Sequence, residues 1–309
     1  MSPLRTAVDE YLALRRGLGF SLRLPGAMLR QFAAFLEREG APYITRALAL
    51  RWAQQPAHAQ PATWARRLST VRRFAQFWSA ADPRTEVPPL GLLPHRYARK
   101  PPYIYTDGEV RRLLAVARQL PSATGLRPAT YATLLGLLAV TGMRISEALA
   151  LNRDDVNGSE GVLTIRRTKF GKSRLIPVHP STQRALARYA GRRDRVYPTP
   201  KTASVFVSER GARLTEWTVR WTFNRLSRRM GLRGPADRRG PRLHDFRHRL
   251  AVTTLLRWYR AGVDVERRLP ALSTYLGHRH VADTYWYVSA VPELLRLAAA
   301  RLEARGGRA

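Results

Sequence analysis

Leu276-Gly277-His278-Arg279-His280-Val281-Ala282-Asp283-Thr284-Tyr285-Trp286-Tyr287 breaks a helical pattern at Gly277, places a histidine directly after the break and ends in an aromatic cluster. On a helix Tyr285 and Tyr287 stand about 200° apart, so only one of them can share a site with His278. Upstream lies His244-Asp245-Phe246-Arg247-His248, whose His244, Arg247 and His248 fall on one helix face at spacings of three and four. Further upstream stands Thr141-Gly142-Met143-Arg144. There Gly142 can end an apolar helix, and Ser146-Glu147 can open the next, so Arg144 springs from an inter-helix corner suited to a fixed cation. Two arginines, histidines and a tyrosine suit one kind of chemistry: guanidinium forks clamp a phosphodiester while a phenol attacks the phosphorus. A phenol with a pKa of about 10 needs nearby cations or a proton acceptor to do this at neutral pH, and the set contains both.

The charge balance points to the same class of partner. The chain has 54 Lys+Arg against 22 Asp+Glu, a formal net charge of +32, typical of proteins that displace counterions from a polyanion. The only lysines are Lys100, Lys169, Lys172 and Lys201; the remaining cations are arginines, the better bidentate phosphate ligands. With no cysteine there is no disulfide, thiolate metal site or cysteine nucleophile, which fits a reducing compartment. The first helix carries Arg5, Asp9, Glu10, Arg15 and Arg16 and does not read as a signal peptide, and the longest apolar run, Leu134 to Val140, is too short to span a bilayer. A soluble, cytoplasmic protein without a membrane partner is expected.

With 309 residues, 45% of them hydrophobic, two domains are the expectation. Residues 1–82 read as a helical domain, with helices near 4–17, 27–40, 45–54 and 62–80; in the last of these Trp64, Leu68, Val71, Ala75 and Trp78 share a face flanked by Arg66, Arg67, Arg72 and Arg73. Residues 83–105 hold Pro83, Pro88, Pro89, Pro94, Pro101 and Pro102 with Arg96, Arg99 and Lys100, a basic interdomain linker with an extended path. Thr106-Asp-Gly-Glu109 is a capping box that opens a second domain, 106–309. A long apolar helix is expected near 129–141, strands at 161–167, 174–178 and 204–208, and helices near 215–231, 243–262, 266–277, 280–289 and 292–304, the last an amphipathic tail. The expected fold class is mainly α with a small antiparallel β-sheet. No Gly-rich phosphate loop indicates an ATP-driven reaction.

Lys169 and Lys172 flank the proposed hairpin turn in Arg166-Arg-Thr-Lys169-Phe-Gly-Lys172-Ser-Arg174. A flexible lysine at a hairpin tip can enter a DNA groove and protonate a departing 5′ oxygen, a task for which arginine is too weak an acid. His244-Asp-x-x-His248 also resembles the two-histidine helix of zinc proteases, but that motif uses glutamate as its base, no third ligand follows at a suitable spacing, and an arginine inside the site opposes a divalent cation.

Taken in order, Thr141-Gly-Met-Arg144-Ile-Ser-Glu-Ala-Leu, Lys169 with Arg174-Leu-Ile-Pro177, His244-x-x-Arg247-His248, and Leu276-Gly-His278 with Tyr287 resemble the tyrosine recombinase (phage integrase) family. The resemblance covers about 106–290 and, more loosely, the helical N-terminal part, which looks like that family's core-binding domain. It implies a catalytic set of Arg144, Lys169, His244, Arg247, His278 and Tyr287. The arginines would hold the non-bridging oxygens, His278 would donate, His244 would act as base or proton shuttle, and Lys169, with Lys172 as the alternative, would be the acid. Tyr287 would form a 3′-phosphotyrosyl bond with no cofactor and no metal. The implied partners are double-stranded DNA and further protomers, in a homo- or hetero-tetramer with sister recombinases. The implied role is integration, transposition or excision, with the stretch around Tyr287 resembling recombinases of mobile elements. Arg249 stands where relatives often carry a small residue, and a further phosphate contact is one reading of it. A catalytically silent DNA-binding partner in a mixed complex and a type IB topoisomerase-like relaxation remain the alternatives.

Overall fold

Four helices build the first of two units into which the chain divides, Met1–Lys100: α1 (Pro3–Gly17), α2 (Arg23–Arg38), α3 (Arg46–Gln54) and α4 (Pro61–Trp78). The computed structural model describes residues 3–94, 102–166, 173–234, 237 and 240–306. In α2 the buried Met28, Leu29, Phe32, Phe35 and Leu36 repeat at three- and four-residue intervals, the spacing that gives a helix one apolar face. They pack with Leu12, Trp52, Leu68, Val71 and Phe74 in a self-contained core. On α4 Leu68, Val71 and Ala75 are buried as their spacing predicts, while Trp64 turns its indole N–H to the Pro56 carbonyl at 2.9 Å. Arg67, also on α4, lies 3.7 Å over the Trp52 ring and donates to the Trp52 carbonyl at 2.8 Å. Of the expected linker, residues 95–101 lie outside the described residues. Its early part folds back on the first unit, with Glu86 N–H on the Ile44 carbonyl at 2.8 Å.

The second unit, Pro101–Ala309, opens with α5 (Asp107–Ala117). Its capping box is complete: the Thr106 hydroxyl accepts from Glu109 N–H at 3.1 Å and the Glu109 carboxylate accepts from Thr106 N–H at 2.8 Å. Tyr105, just before it, is buried and stacks on Phe246 with centroids 4.6 Å apart, so the end of the expected linker is core. The apolar α6 (Leu126–Thr141) runs through the middle of the unit, packed by α5, α8 and α10, and α7 (Ile145–Ala150) follows after the corner at Gly142. The antiparallel sheet has the order β1 (Val156–Asn157), β2 (Val162–Ile165), β3 (Arg174–Pro177), with Leu163 opposite Ile176 and Ile165 opposite Arg174. The third strand of this sheet is therefore 156–157. The expected strand at 204–208 forms only isolated bridges, Ser204 with Asn152 and Val207 with Arg213.

Helix α8 (Pro180–Val196) has no counterpart in the sequence reading. Five helices complete the unit: α9 (Glu216–Arg229), α10 (Asp245–Arg260), α11 (Val265–Leu276), α12 (Ala282–Ala290) and α13 (Pro292–Gly306). Two apolar clusters result. One, around Leu134, Leu138, Ile176, Phe206, Phe223 and Phe246, joins α5–α9 and the sheet. The other, around Val252, Leu255, Leu269, Leu276, Tyr287 and Leu294, joins α10–α13. Helix α10 supplies Phe246 to the first and Val252 to the second, so its N-terminal turns lie at the seam between them. Among the described residues no helix is long and apolar enough to cross a membrane.

Candidate functional site

The seam between the two clusters gathers residues from four separated segments. Arg144 caps α7 two residues after Gly142, the left-handed C-cap of α6 (φ 59°). A Cβ on Gly142 would come within 2.7 Å of Leu250 Cδ2 and 3.4 Å of the Arg247 Cα. Glycine here therefore serves both the backbone turn and the close approach of α10 that brings Arg247 up to Arg144. Arg247, 2% exposed, donates through Nη1 to the Gly142 carbonyl at 3.1 Å and through Nη2 to the Leu276 carbonyl. Arg144 donates to the Glu147 carboxylate at 2.8 Å and to the Gly277 carbonyl at 3.0 Å. The two guanidinium groups thus meet at the end of α11, on the adjacent Leu276 and Gly277 carbonyls, while their other nitrogens hold the turn after α6 and the α7 carboxylate. Burial first and the like charge of Arg144 second push the Arg247 pKa down to about 10, which leaves the group a cation at neutral pH.

Glu147 is the counterweight. Burial alone would raise its pKa, but hydrogen bonds from Arg174 and Arg144, together with the Arg174 charge, hold it down at about 2. Arg174, on β3, grips that carboxylate with Nη1 at 3.1 Å and Nη2 at 2.8 Å, and its Nε donates to the Tyr275 carbonyl at 3.0 Å. Gly277, the left-handed cap of α11 (φ 68°), lets this guanidinium pass, since a Cβ would meet Arg174 Nη1 at 2.8 Å. Lys169 and Lys172, expected on the turn before β3, lie outside the described residues.

His278 follows at that turn, with Nδ1 2.7 Å from the buried Thr284 hydroxyl. Its ring stacks toward Tyr287 with centroids 6.3 Å apart. Burial, then the charge of Arg247, lowers its pKa to about 4. His244 caps α10; desolvation leads again, followed by the charges of His248 and Arg247, and its pKa is also lowered to about 4, although the residue keeps substantial contact with solvent. Both rings are therefore neutral at pH 7, and each keeps one N–H that can donate a hydrogen bond to an anion.

Tyr287 is 2% exposed, whereas Tyr285 on the opposite side of α12 is 49% exposed. This settles which tyrosine faces His278. The Tyr287 hydroxyl lies 3.1 Å from His248 Nδ1. Behind that ring, Asp245 Oδ1 stands 3.9 Å from His248 Nε2. Asp245, 1% exposed, accepts from the Arg242 N–H at 2.7 Å and from its guanidinium at 3.0 Å. The sequence reading placed His248 on the shared face without assigning it a task, and it passed over Asp245 and the Glu147–Arg174 pair. An acid three residues before a histidine, and another three residues after an arginine, were the available signals. Arg249 takes a different course: its Nε donates to the Tyr105 carbonyl at 3.0 Å and its guanidinium pairs with Asp107, tying α10 to the start of α5. Among the described residues no three His, Asp or Glu side chains are grouped to hold a metal ion.

Residues 104–293 match the profile described as the phage integrase family. The chain is 53% identical over 310 residues to the integrase/recombinase y4rB of Sinorhizobium fredii, covering 99% of this chain and 98% of that one. To the tyrosine recombinase XerD of Caulobacter vibrioides it is 32% identical over 238 residues, 76% of this chain and 73% of the relative. Two solved structures share the fold. The Tn1549 transposon integrase in complex with transposon right end DNA is similar with a TM-score of 0.67 and 17% identity, over 98% of this chain and 99% of that one. The XerH site-specific recombinase bound to a palindromic difH substrate is similar with a TM-score of 0.65 and 19% identity, over 91% and 78%.

Proposed function

The chain belongs to the phage integrase family, and from that premise we propose that it is a site-specific DNA recombinase that cuts and rejoins strands through a 3′-phosphotyrosyl intermediate. The observation that carries this reading is the meeting of Arg144, Arg247, His244, His278 and the buried Tyr287 at one seam. Arg144 and Arg247 hold the non-bridging oxygens of the scissile phosphate and stabilise the charge of the five-coordinate phosphorus, with His278 and His244 as further donors. The Tyr287 oxygen forms a bond to phosphorus, the bond from phosphorus to O5′ breaks, and Lys169 gives O5′ its proton. A 5′ hydroxyl from a second strand then reverses the step. One phosphoester replaces another, so the exchange needs no nucleotide energy source.

The net charge of +32 suits a DNA partner, and two similar structures are DNA complexes. The two units, Met1–Lys100 and Pro101–Ala309, act in this reading as a core-binding domain and a catalytic domain on the same duplex, assembled with further protomers. Likeness to a transposon integrase and to y4rB favours a mobile-element role in integration or excision. The test is to incubate the wild-type chain and Tyr287→Phe with nicked duplexes taken from the DNA flanking the gene, without added metal. An SDS-resistant protein–DNA adduct is expected with wild type alone. Tight, salt-sensitive binding with no adduct would make the chain a silent partner, and relaxation of supercoiled DNA lacking any such site would make it a topoisomerase.

A further inference from the structure

We propose that His248 is the base that takes the proton from Tyr287, and that Asp245 holds the His248 ring in the tautomer able to do so. The inference rests on Tyr287 being the nucleophile. His248 Nδ1 is 3.1 Å from the phenolic oxygen, and the two rings meet edge to face with centroids 5.5 Å apart. The other nitrogen, Nε2, faces the buried Asp245 carboxylate at 3.9 Å, too long for a hydrogen bond but close enough for the charge to orient the ring. Asp245 is itself fixed by the backbone and guanidinium of Arg242. A carboxylate on that side favours the proton on Nε2, which leaves the Nδ1 lone pair directed at the tyrosine. The order of groups, nucleophile to histidine to carboxylate, is the arrangement that activates hydroxyl nucleophiles in general.

The other histidines are placed for other tasks. His278 Nδ1 is engaged with Thr284, and His244 packs edge to face against His248 with centroids 4.7 Å apart. As the bond from the tyrosine oxygen to phosphorus forms and the bond to O5′ breaks, the phenolic proton passes to Nδ1. The resulting imidazolium faces Asp245, and O5′ takes its proton from Lys169. In the reverse step the released phenolate recovers its proton from His248.

Single-turnover adduct formation tests this on a duplex at which the wild-type chain reacts, prepared with the normal 5′ oxygen and with a bridging 5′ sulfur, a leaving group that needs no acid. His248→Asn is expected to slow adduct formation about 100- to 10,000-fold on both substrates, with DNA affinity unchanged. Lys169→Ala is expected to be slow on oxygen and restored on sulfur. His248→Ala should regain activity with imidazole in solution, which a purely structural histidine would not, and Asp245→Asn should slow both substrates less than His248→Asn does. Wild-type rates from His248→Asn, or restoration of that variant by the sulfur substrate, would overturn the assignment. An adduct from Tyr287→Phe would instead remove the nucleophile on which it rests.

Discussion

Arg247 is a fully buried cation whose two terminal nitrogens are occupied by carbonyls of two different turns, Gly142 and Leu276. Truncating it leaves two buried carbonyls without their donor and, in the proposed mechanism, also removes a phosphate clamp. Arg247→Ala should therefore slow adduct formation by about 100- to 1,000-fold and lower the unfolding free energy by about 1–3 kcal/mol. Single-turnover cleavage and urea denaturation read the two effects separately. The histidines give a pH signature of defined sign. His244 and His278 are lowered from 6.5 to about 4 in the folded chain, so between those values the unfolded chain binds more protons than the folded one. Stability must then rise with pH across that window and be lost as pH falls from 6.5 towards 4. Urea midpoints across this range should show that slope, and the His244→Asn, His278→Asn double variant should flatten it. Glu147, held at about 2, acts at lower pH: its contribution is complete above 4.5 and disappears as pH falls through about 2. The residues that bear charge were readable from the sequence because they recur in order. Their supports, Glu147, Arg174 and Asp245, were not, because an acid near an arginine is common on any helix, and only the folded turns show which pairs are buried.

At the level of elements, sequence periodicity recovered the helices whose buried face is broad, such as α2 and α6, and missed α8. That helix buries Leu186 and Tyr189 and, as its third buried residue, Arg193, which turns inward to the Val205 carbonyl at 2.9 Å. With only two apolar residues buried on it and arginines around them, the segment offers no run of apolar positions to mark it as a helix. The third strand was misplaced for a related reason. The apolar run Val205-Phe206-Val207 is buried as isolated bridges beside the sheet, whereas the edge strand Val156–Asn157 is too short to show alternation. Arg249 illustrates the reverse case, a cation readily taken for a phosphate contact that the fold uses to join α10 to α5. Arg249→Ala should leave the dependence of log K on log salt unchanged, whereas loss of a true phosphate contact would flatten it by about 0.9. Fluorescence anisotropy over a salt series checks this. The tail helix α13 packs within its own chain, with Leu294 fully buried among α10–α12 and Arg301 donating to the Gly262 and Val263 carbonyls at 2.6 Å each. Leu294→Ala should cost about 2–5 kcal/mol, a loss that urea denaturation would register. Because Leu294 shares its cluster with Tyr287, adduct formation should fall with it.

Across the whole molecule, each unit owns its core: the Phe32–Trp52–Phe74 cluster belongs wholly to Met1–Lys100, and the two remaining clusters belong to Pro101–Ala309. Separate cores imply separate folding, so fragments 1–94 and 102–309 should each unfold cooperatively on their own. Not every arginine of the first unit is available to DNA, since Arg67 is committed to Trp52 through its ring and its carbonyl. Arg66, Arg72 and Arg73 on the same helix carry charge without that commitment. If both fragments bind one duplex, joining them makes the second contact intramolecular, and the intact chain should bind at least about 100-fold more tightly than either piece. The salt dependence supplies an independent check, because counterions released by the two pieces add: the slope for the intact chain should equal the sum of the fragment slopes. A slope no steeper than that of 102–309 alone would mean that the first unit does not touch DNA. In that case Arg66, Arg72 and Arg73 would be solvated charge, and the core-binding role would have to be withdrawn while the catalytic assignment stood.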